Sequence, residues 1–275
     1  MDAWDALLLQ MEYGADEALD DQPVVRLRPL APETPAPPPR FAPGPAQSQP
    51  RPAPAPAASP VRSAPAPAAS PVQNAQALAD AARTRDELRA ALARFDGCAL
   101  SVTATNLVFA DGNPDSGLML VGEAPGAEED RAGLPFVGPS GQLLDRMLAS
   151  IGLDRSQYLI TNLIPWRPPG NRNPTDSEVA VCLPFLLRHI ALVRPRRLVL
   201  LGALAARAVL DTKTGITRLR GRWTELRVPG LEQKVPTLPM LHPAYLLRNQ
   251  GAKRDSWADL VQLRRALDES DVPGS

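Results

Sequence analysis

"LMLVGEAPGAEEDRAGLPFVGPSGQLLDRML", residues 118–148, decides the fold. Leu118–Val121 is a short apolar run bounded by a glycine, the pattern of a strand buried on both faces. The stretch "SGQLLDRMLASIGL" then has apolar residues at helical spacing, with Ser140 as the expected N-cap and a glycine near the end. Strand, turn and helix make one α/β unit. Its turn carries two glycines, Gly122 and Gly126, a stiffening Pro125, the acids Glu123, Glu128, Glu129 and Asp130, and Phe136. No Gly-Lys-Ser/Thr follows, so it is not a Walker loop, and G-x-G-x-x-G is absent, so it is not a dinucleotide fingerprint. Carboxylates crowded at a turn disfavour a phosphate among them. They suit a developing positive charge or a water that must be positioned.

Working outward, the pattern repeats. "QALADAARTRDELRAALARF", within 73–95, reads as helix. "QYLITNLI" is a second strand, and "TDSEVAVCLPFLLRHIALV" a helix opened by a Thr175–Glu178 capping box, with Pro184 inside it. "RRLVLLG" is a third strand, "ALAARAVL" a helix, "VPTLPMLHP" a fourth strand, and about 253–267 a final helix. Apolar strands alternating with helices predict a three-layer α/β/α sandwich around a mostly parallel, four-stranded sheet. In such sheets the ligand sits beyond the carboxyl ends of the strands.

The first 72 residues are different. Of 32 prolines in the 275-residue chain, 17 fall between Pro23 and Pro71, and the nonamer "APAPAASPV" occurs at 53–61 and 64–72. Large apolar side chains nearly vanish there, so 23–72 is expected to be a disordered linker. Before it, Trp4, Leu7, Leu8 and Met11 share one helical face. Residues 1–22 are expected either to form a short amphipathic helix that docks on a protein partner or to be a frayed terminus. The folded domain is assigned to 73–275.

Charge is even overall, 30 basic against 30 acidic residues. Residues 1–76 hold 8 acidic and 5 basic side chains, leaving the rest at 22 acidic and 25 basic, mildly positive. That balance permits a phosphate-binding patch. No apolar run reaches membrane-spanning length, the acidic N-terminus lacks a signal-peptide pattern, and the two cysteines, Cys98 and Cys182, are few. A monomeric cytoplasmic protein is expected.

Three strands end in unusual sequence, and their loops should converge. Asn162 closes an apolar strand and offers a donor and an acceptor side by side, suited to the edge of a pyrimidine. "RPPGNR" supplies Arg167 and Arg172 on a rigid loop, placed to contact phosphate. His242 follows the last strand, whereas His189 lies inside a helix and reads as a packing or solvated residue. After His242 come Arg248 and an apolar wedge, Tyr245, Leu246 and Leu247, of the kind that enters DNA between base steps. Phe136 is either core or a stacking platform for a flat ring.

Taken together, "GEAPG", "PFVG", "YLITN", "RPPGNR" and "HPAYLLR" resemble the family-4 uracil-DNA glycosylases over about residues 95–267. Domains associated with phage polymerases share the same motifs. The resemblance implies an enzyme of base-excision repair that flips uracil out of DNA and cuts its N-glycosidic bond. It implies that Gly122 allows close approach of the nucleotide, Phe136 stacks on uracil and Asn162 bonds its polar edge. His242 would donate toward uracil O2, and Glu123 and Glu129 would face the sugar or the attacking water, in an order the motifs leave open. The family holds a [4Fe–4S] cluster on four cysteines. Here Ser101 and Trp166 stand at two of those positions, leaving only Cys98 and Cys182, so no cluster is expected. Two alternatives remain: a catalytically inactive DNA-binding or protein-docking relative, and a DNA-crosslinking branch. The latter carries a basic insertion before its histidine loop, and "ITRLRGRW" at 216–223 shows none.

Overall fold

The computed structural model describes residues 70–271. The helix expected within 1–22 and nearly all of the linker lie outside the described residues. The sheet is the organising element. Its centre is β2 (Leu118–Gly122), β3 (Leu159–Asn162), β4 (Arg197–Leu201) and β6 (Val235–Met240), all parallel, in the order β3-β2-β4-β6. These are the four strands expected from the apolar runs. Two three-residue strands, β1 (Ala110–Gly112) and β5 (Thr224–Leu226), add antiparallel edges, so the sheet has six strands and is mixed. "ADG" and "TEL" are too short and too polar to announce a strand.

Because side chains alternate across a strand, β2 feeds two cores. Met119 and Val121 pack on one face with Leu88, Leu92 and Phe95 of the N-terminal helices and with Phe185 and Ile190. Leu118 and Leu120 pack on the other with Leu144, Leu148, Leu260 and Leu263. This double burial produces the three-layer sandwich.

The first helical stretch is two helices, α1 (Pro71–Ala81) and α2 (Arg85–Arg94). The chain turns extended at Ala82, whose carbonyl accepts from Arg188 Nε at 2.8 Å, and Thr84 caps α2 through the Glu87 amide at 3.1 Å. Helix α1 begins at Pro71, two residues before the expected boundary. A short helix α3 (Leu100–Thr103) follows.

After β2 come α4 (Ala127–Ala132) and α5 (Pro139–Ala149). Gly138, not Ser140, is the N-cap of α5. Pro139 takes the first helical position, where a missing N–H leaves no bond unmade. Helix α6 (Asp176–Val193) opens with the Thr175–Glu178 capping box and runs through Pro184. The rest are α7 (Ala203–Val209), α8 (Ile216–Leu219), α9 (Pro243–Arg248) and α10 (Lys253–Asp271). Register sets Gly122 beside Asn162 and Leu201 beside Met240, so the segments after all four parallel strands open onto one edge.

Candidate active site

At that edge lies a cleft of about 540 Å³. Glu123, Glu129, Phe136, Asn162, Arg172, His242, Tyr245 and Arg248 all line it, contributed by three strand ends and the loops beyond them.

Phe136 is held in an unusual state. Its φ is 56°, left-handed for a bulky residue, and it is 4 % exposed. Such a conformation costs about 1–3 kcal/mol and persists only where the surroundings enforce it. Its ring lies 5.7 Å from that of His242, inclined at 29°. Gly122 makes room for it: a Cβ there would stand 2.4 Å from Phe136 Cζ and 2.5 Å from Asn162 Oδ1. The glycine therefore keeps open a slot between ring and amide.

Asn162 is 5 % exposed, and its Oδ1 has no hydrogen-bond partner. A buried acceptor left unpaired costs about 1–3 kcal/mol. Orphan groups of this kind are rare in folded proteins, and this one borders the cleft.

His242 caps α9: its Nδ1 accepts the Ala244 amide at 3.1 Å. That bond leaves the proton on Nε2, so the ring is a donor. Burial, and then the charge on Arg248, hold its pKa down to about 4, which keeps it neutral at physiological pH.

The acidic cluster divides. The Glu123 carboxylate accepts the Leu204 amide at 2.8 Å, close to Gly202, whose φ of 104° only a glycine adopts readily. Burial raises the Glu123 pKa, opposed by the Leu204 amide, the Arg207 charge and the Ala203 amide. Glu129, 7 % exposed, is a brace: it accepts the amides of Gly126 (3.0 Å), Val137 (3.0 Å) and Gly138 (2.8 Å). Asp130 is a second brace, accepting the amides of Thr105 and Asn106 at 2.8 and 3.1 Å. Glu128 is exposed.

Other expected contacts are placed differently. Leu246 is fully buried, because α9 packs on α5 and turns it inward, so it is no wedge into DNA. Tyr245 and Leu247, 41 % and 43 % exposed, occupy the outer face. Arg172 forms a two-pronged ion pair with Glu178 at 2.6 and 2.9 Å, and that bond above all holds the Glu178 carboxyl down to about 2. Arg167 bonds Asn171 at 2.8 Å and lies outside the cleft lining. Asn171, Asn173, Ile216 and Thr217, not singled out in the sequence, and Ser140, expected only as an N-cap, line the cleft as well. Gly202, ending "RRLVLLG", is the one legible sign that the end of the third parallel strand also reaches the cleft.

The residues at the cysteine positions do not fit a four-thiolate cluster. The chain has two cysteines. Cys98 and Cys182 are both free and buried; the neighbouring Cys182 side chain chiefly draws the Cys98 thiol down to about 7, and Cys98 together with burial pushes Cys182 up. Ser101 Oγ donates to the Cys98 carbonyl at 2.8 Å, and Trp166 is buried in the same apolar cluster as Leu100, Cys98 and Cys182.

A sequence model described as "Uracil DNA glycosylase superfamily" matches residues 109–261, more than half the chain and all of the cleft. The chain belongs to the uracil DNA glycosylase superfamily. It is similar to "Type-4 uracil-DNA glycosylase" proteins from Pyrobaculum aerophilum (38 % identity, covering 64 % of this chain and 93 % of the relative) and Thermotoga maritima (40 %, 61 % and 88 %). A third such relative, from Archaeoglobus fulgidus, is 39 % identical over 60 % of this chain and 84 % of its own length. As in this superfamily's name, the cleft's ring, amide and imidazole suit a flat pyrimidine. No helix among the described residues is long and apolar enough to cross a membrane.

Proposed function

We propose that this chain is a monofunctional uracil-DNA glycosylase that removes uracil from DNA in base-excision repair and works without an iron–sulfur cluster. The observation that carries the reading is the unpaired, buried Asn162 amide oxygen beside the strained Phe136 ring and the neutral His242. Uracil offers an N3–H donor next to an O4 acceptor. The Asn162 amide meets both, Oδ1 accepting from N3–H and Nδ2 donating to O4. Phe136 stacks on the flipped base.

The bond from sugar C1′ to uracil N1 then breaks with its electron pair moving onto the base. Negative charge grows at O2, where the His242 Nε2–H donates; a neutral donor in a dry site stabilises such charge strongly. Glu123, partly buried, faces the positive charge developing on the sugar and, as carboxylate, takes a proton from the water that attacks C1′. No lysine is among the described residues that line the cleft, which favours water over an amine as nucleophile. Glu129 braces the loop. Tyr245, Leu247 and Arg248 on the exposed side of α9 contact the DNA, with Arg172 at the rim; Arg167 stays a candidate phosphate contact outside the cleft. Residues 73–275 act as the catalytic unit, and deletion of 1–72 leaves excision from short oligonucleotides nearly intact.

The test is to incubate the protein with a uracil-containing oligonucleotide and probe for alkali-labile abasic sites. Release of uracil is expected. Protein that binds the oligonucleotide but leaves it intact, where a known glycosylase cuts, would instead be a DNA-binding relative.

A further inference from the structure

The left-handed Phe136 needs something to hold it, and the residue that does so comes from outside every motif at the cleft. Arg155 reaches it from the far side of the loop. Its Nη2 donates to the Phe136 carbonyl at 2.6 Å and its Nη1 to the Pro135 carbonyl at 3.3 Å. The guanidinium is itself fixed on its other edges. Asp145 accepts from Nε at 2.8 Å and from Nη2 at 3.3 Å, and Asp111 accepts from Nη1 at 3.0 Å. Asp145 also accepts the hydroxyl of buried Tyr158 at 3.0 Å, and the Arg155 guanidinium lies 5.9 Å from the Tyr158 ring centre. On the opposite edge of the same segment, Glu129 takes the next two amides, those of Val137 and Gly138. Two carbonyls are thus bound by a cation and the following two N–H groups by an anion. Gly141 closes the space behind: a Cβ there would stand 1.9 Å from the Phe136 carbonyl oxygen.

We infer that Arg155 is a positioning residue for base recognition: its fork on the Pro135 and Phe136 carbonyls sets the height and tilt of the Phe136 ring on which the flipped base stacks. This deepens the reading of the cleft as a uracil site and rests on it. Only a planar, five-donor guanidinium can bind two successive carbonyls while two carboxylates hold its remaining edges. A lysine keeps the charge between Asp111 and Asp145 but cannot span both carbonyls. The network reaches the sheet edge through Asp111 on β1, so the short antiparallel strand at that edge helps aim the ring.

The experiment measures inhibition by free uracil, single-turnover excision, affinity for uracil-free DNA and the thermal midpoint, on the full chain. Arg155→Ala is expected to weaken uracil inhibition about tenfold or more and to slow excision, with affinity for uracil-free DNA little changed. Arg155→Lys and Asp145→Asn should show the same pattern at smaller size with near-normal melting, and they carry the test if the alanine variant does not fold. In a Phe136→Leu background the Arg155 substitutions should add little, because they act through that ring. If they weaken uracil inhibition by the same factor with or without Phe136, or only lower the midpoint, the inference is overturned. Wild-type protein that excises no uracil removes the reading of the site itself, a result distinct from an active wild type indifferent to Arg155.

Discussion

Two regions of this molecule, the cleft and the Cys98–Cys182 corner, satisfy their polar groups in opposite ways. At the cleft, local comfort is sacrificed: Phe136 is left-handed, Asn162 Oδ1 is buried without a partner, and the Glu123 carboxyl is raised by burial. At the Cys98–Cys182 corner nothing is left wanting. Both thiols are free and buried, Ser101 bonds a carbonyl, and Trp166 fills space among apolar neighbours. A structural corner needs volume and contact, which a tryptophan supplies. A catalytic cleft needs groups at fixed points whose partners arrive with the substrate, and no repacking replaces them.

The contrast can be broken most visibly at Trp166. Trp166→Ala should cost about 3–5 kcal/mol of stability, the range for emptying a large aromatic site. Excision by the fraction that remains folded should be unchanged. A denaturant melt beside a single-turnover assay separates the two, and a stable but inactive variant would make the corner part of the site. Glu123→Gln should do the reverse: a normal melt, with excision slower by roughly a hundredfold or more. It should also remove the acid limb of the wild-type pH–rate profile. As pH falls, Glu123, with its pKa above the ordinary 4.5, takes up its proton before His242 does at about 4.

A smaller effect contrasts the two histidines. His189 is buried, stacked 4.6 Å from Phe109, and burial above all depresses its pKa to about 3. Its folded value lies below the unfolded 6.5, so its contribution to stability is complete above pH 6.5 and is lost as pH falls toward 3. His189→Gln should flatten the decline of the melting temperature over that window without touching excision at neutral pH. Smallest of all, Leu247→Ala should change stability by no more than about 0.5 kcal/mol, since the side chain is exposed. Its effect, if the α9 wedge works, is confined to uracil in duplex DNA.

The sequence carried the four central strands because buried parallel strands are continuous apolar runs, and it carried the Thr175 cap because a capping box is local. It brought Glu123, Phe136, Asn162 and His242 to one edge through the rule of strand ends. What it hid depends on distance or on a short register. Arg155 meets partners 10, 19, 20 and 44 positions away, with no motif to mark it. Leu246 and Leu247 are adjacent in a six-residue helix, too short for periodicity to say which faces inward. Glu123 and Glu129 look alike in sequence, and only the three amides converging on Glu129 mark it as a brace.

The central claim is that a neutral His242 does chemistry in a protein that needs no iron. It is tested most directly by single-turnover uracil excision after exhaustive iron chelation, with wild type and His242→Ala side by side. Full wild-type activity after chelation is expected, with a loss of roughly a hundredfold or more in the variant and its DNA affinity preserved. Activity that disappears with the iron, or a His242→Ala variant that keeps the wild-type rate, would contradict it.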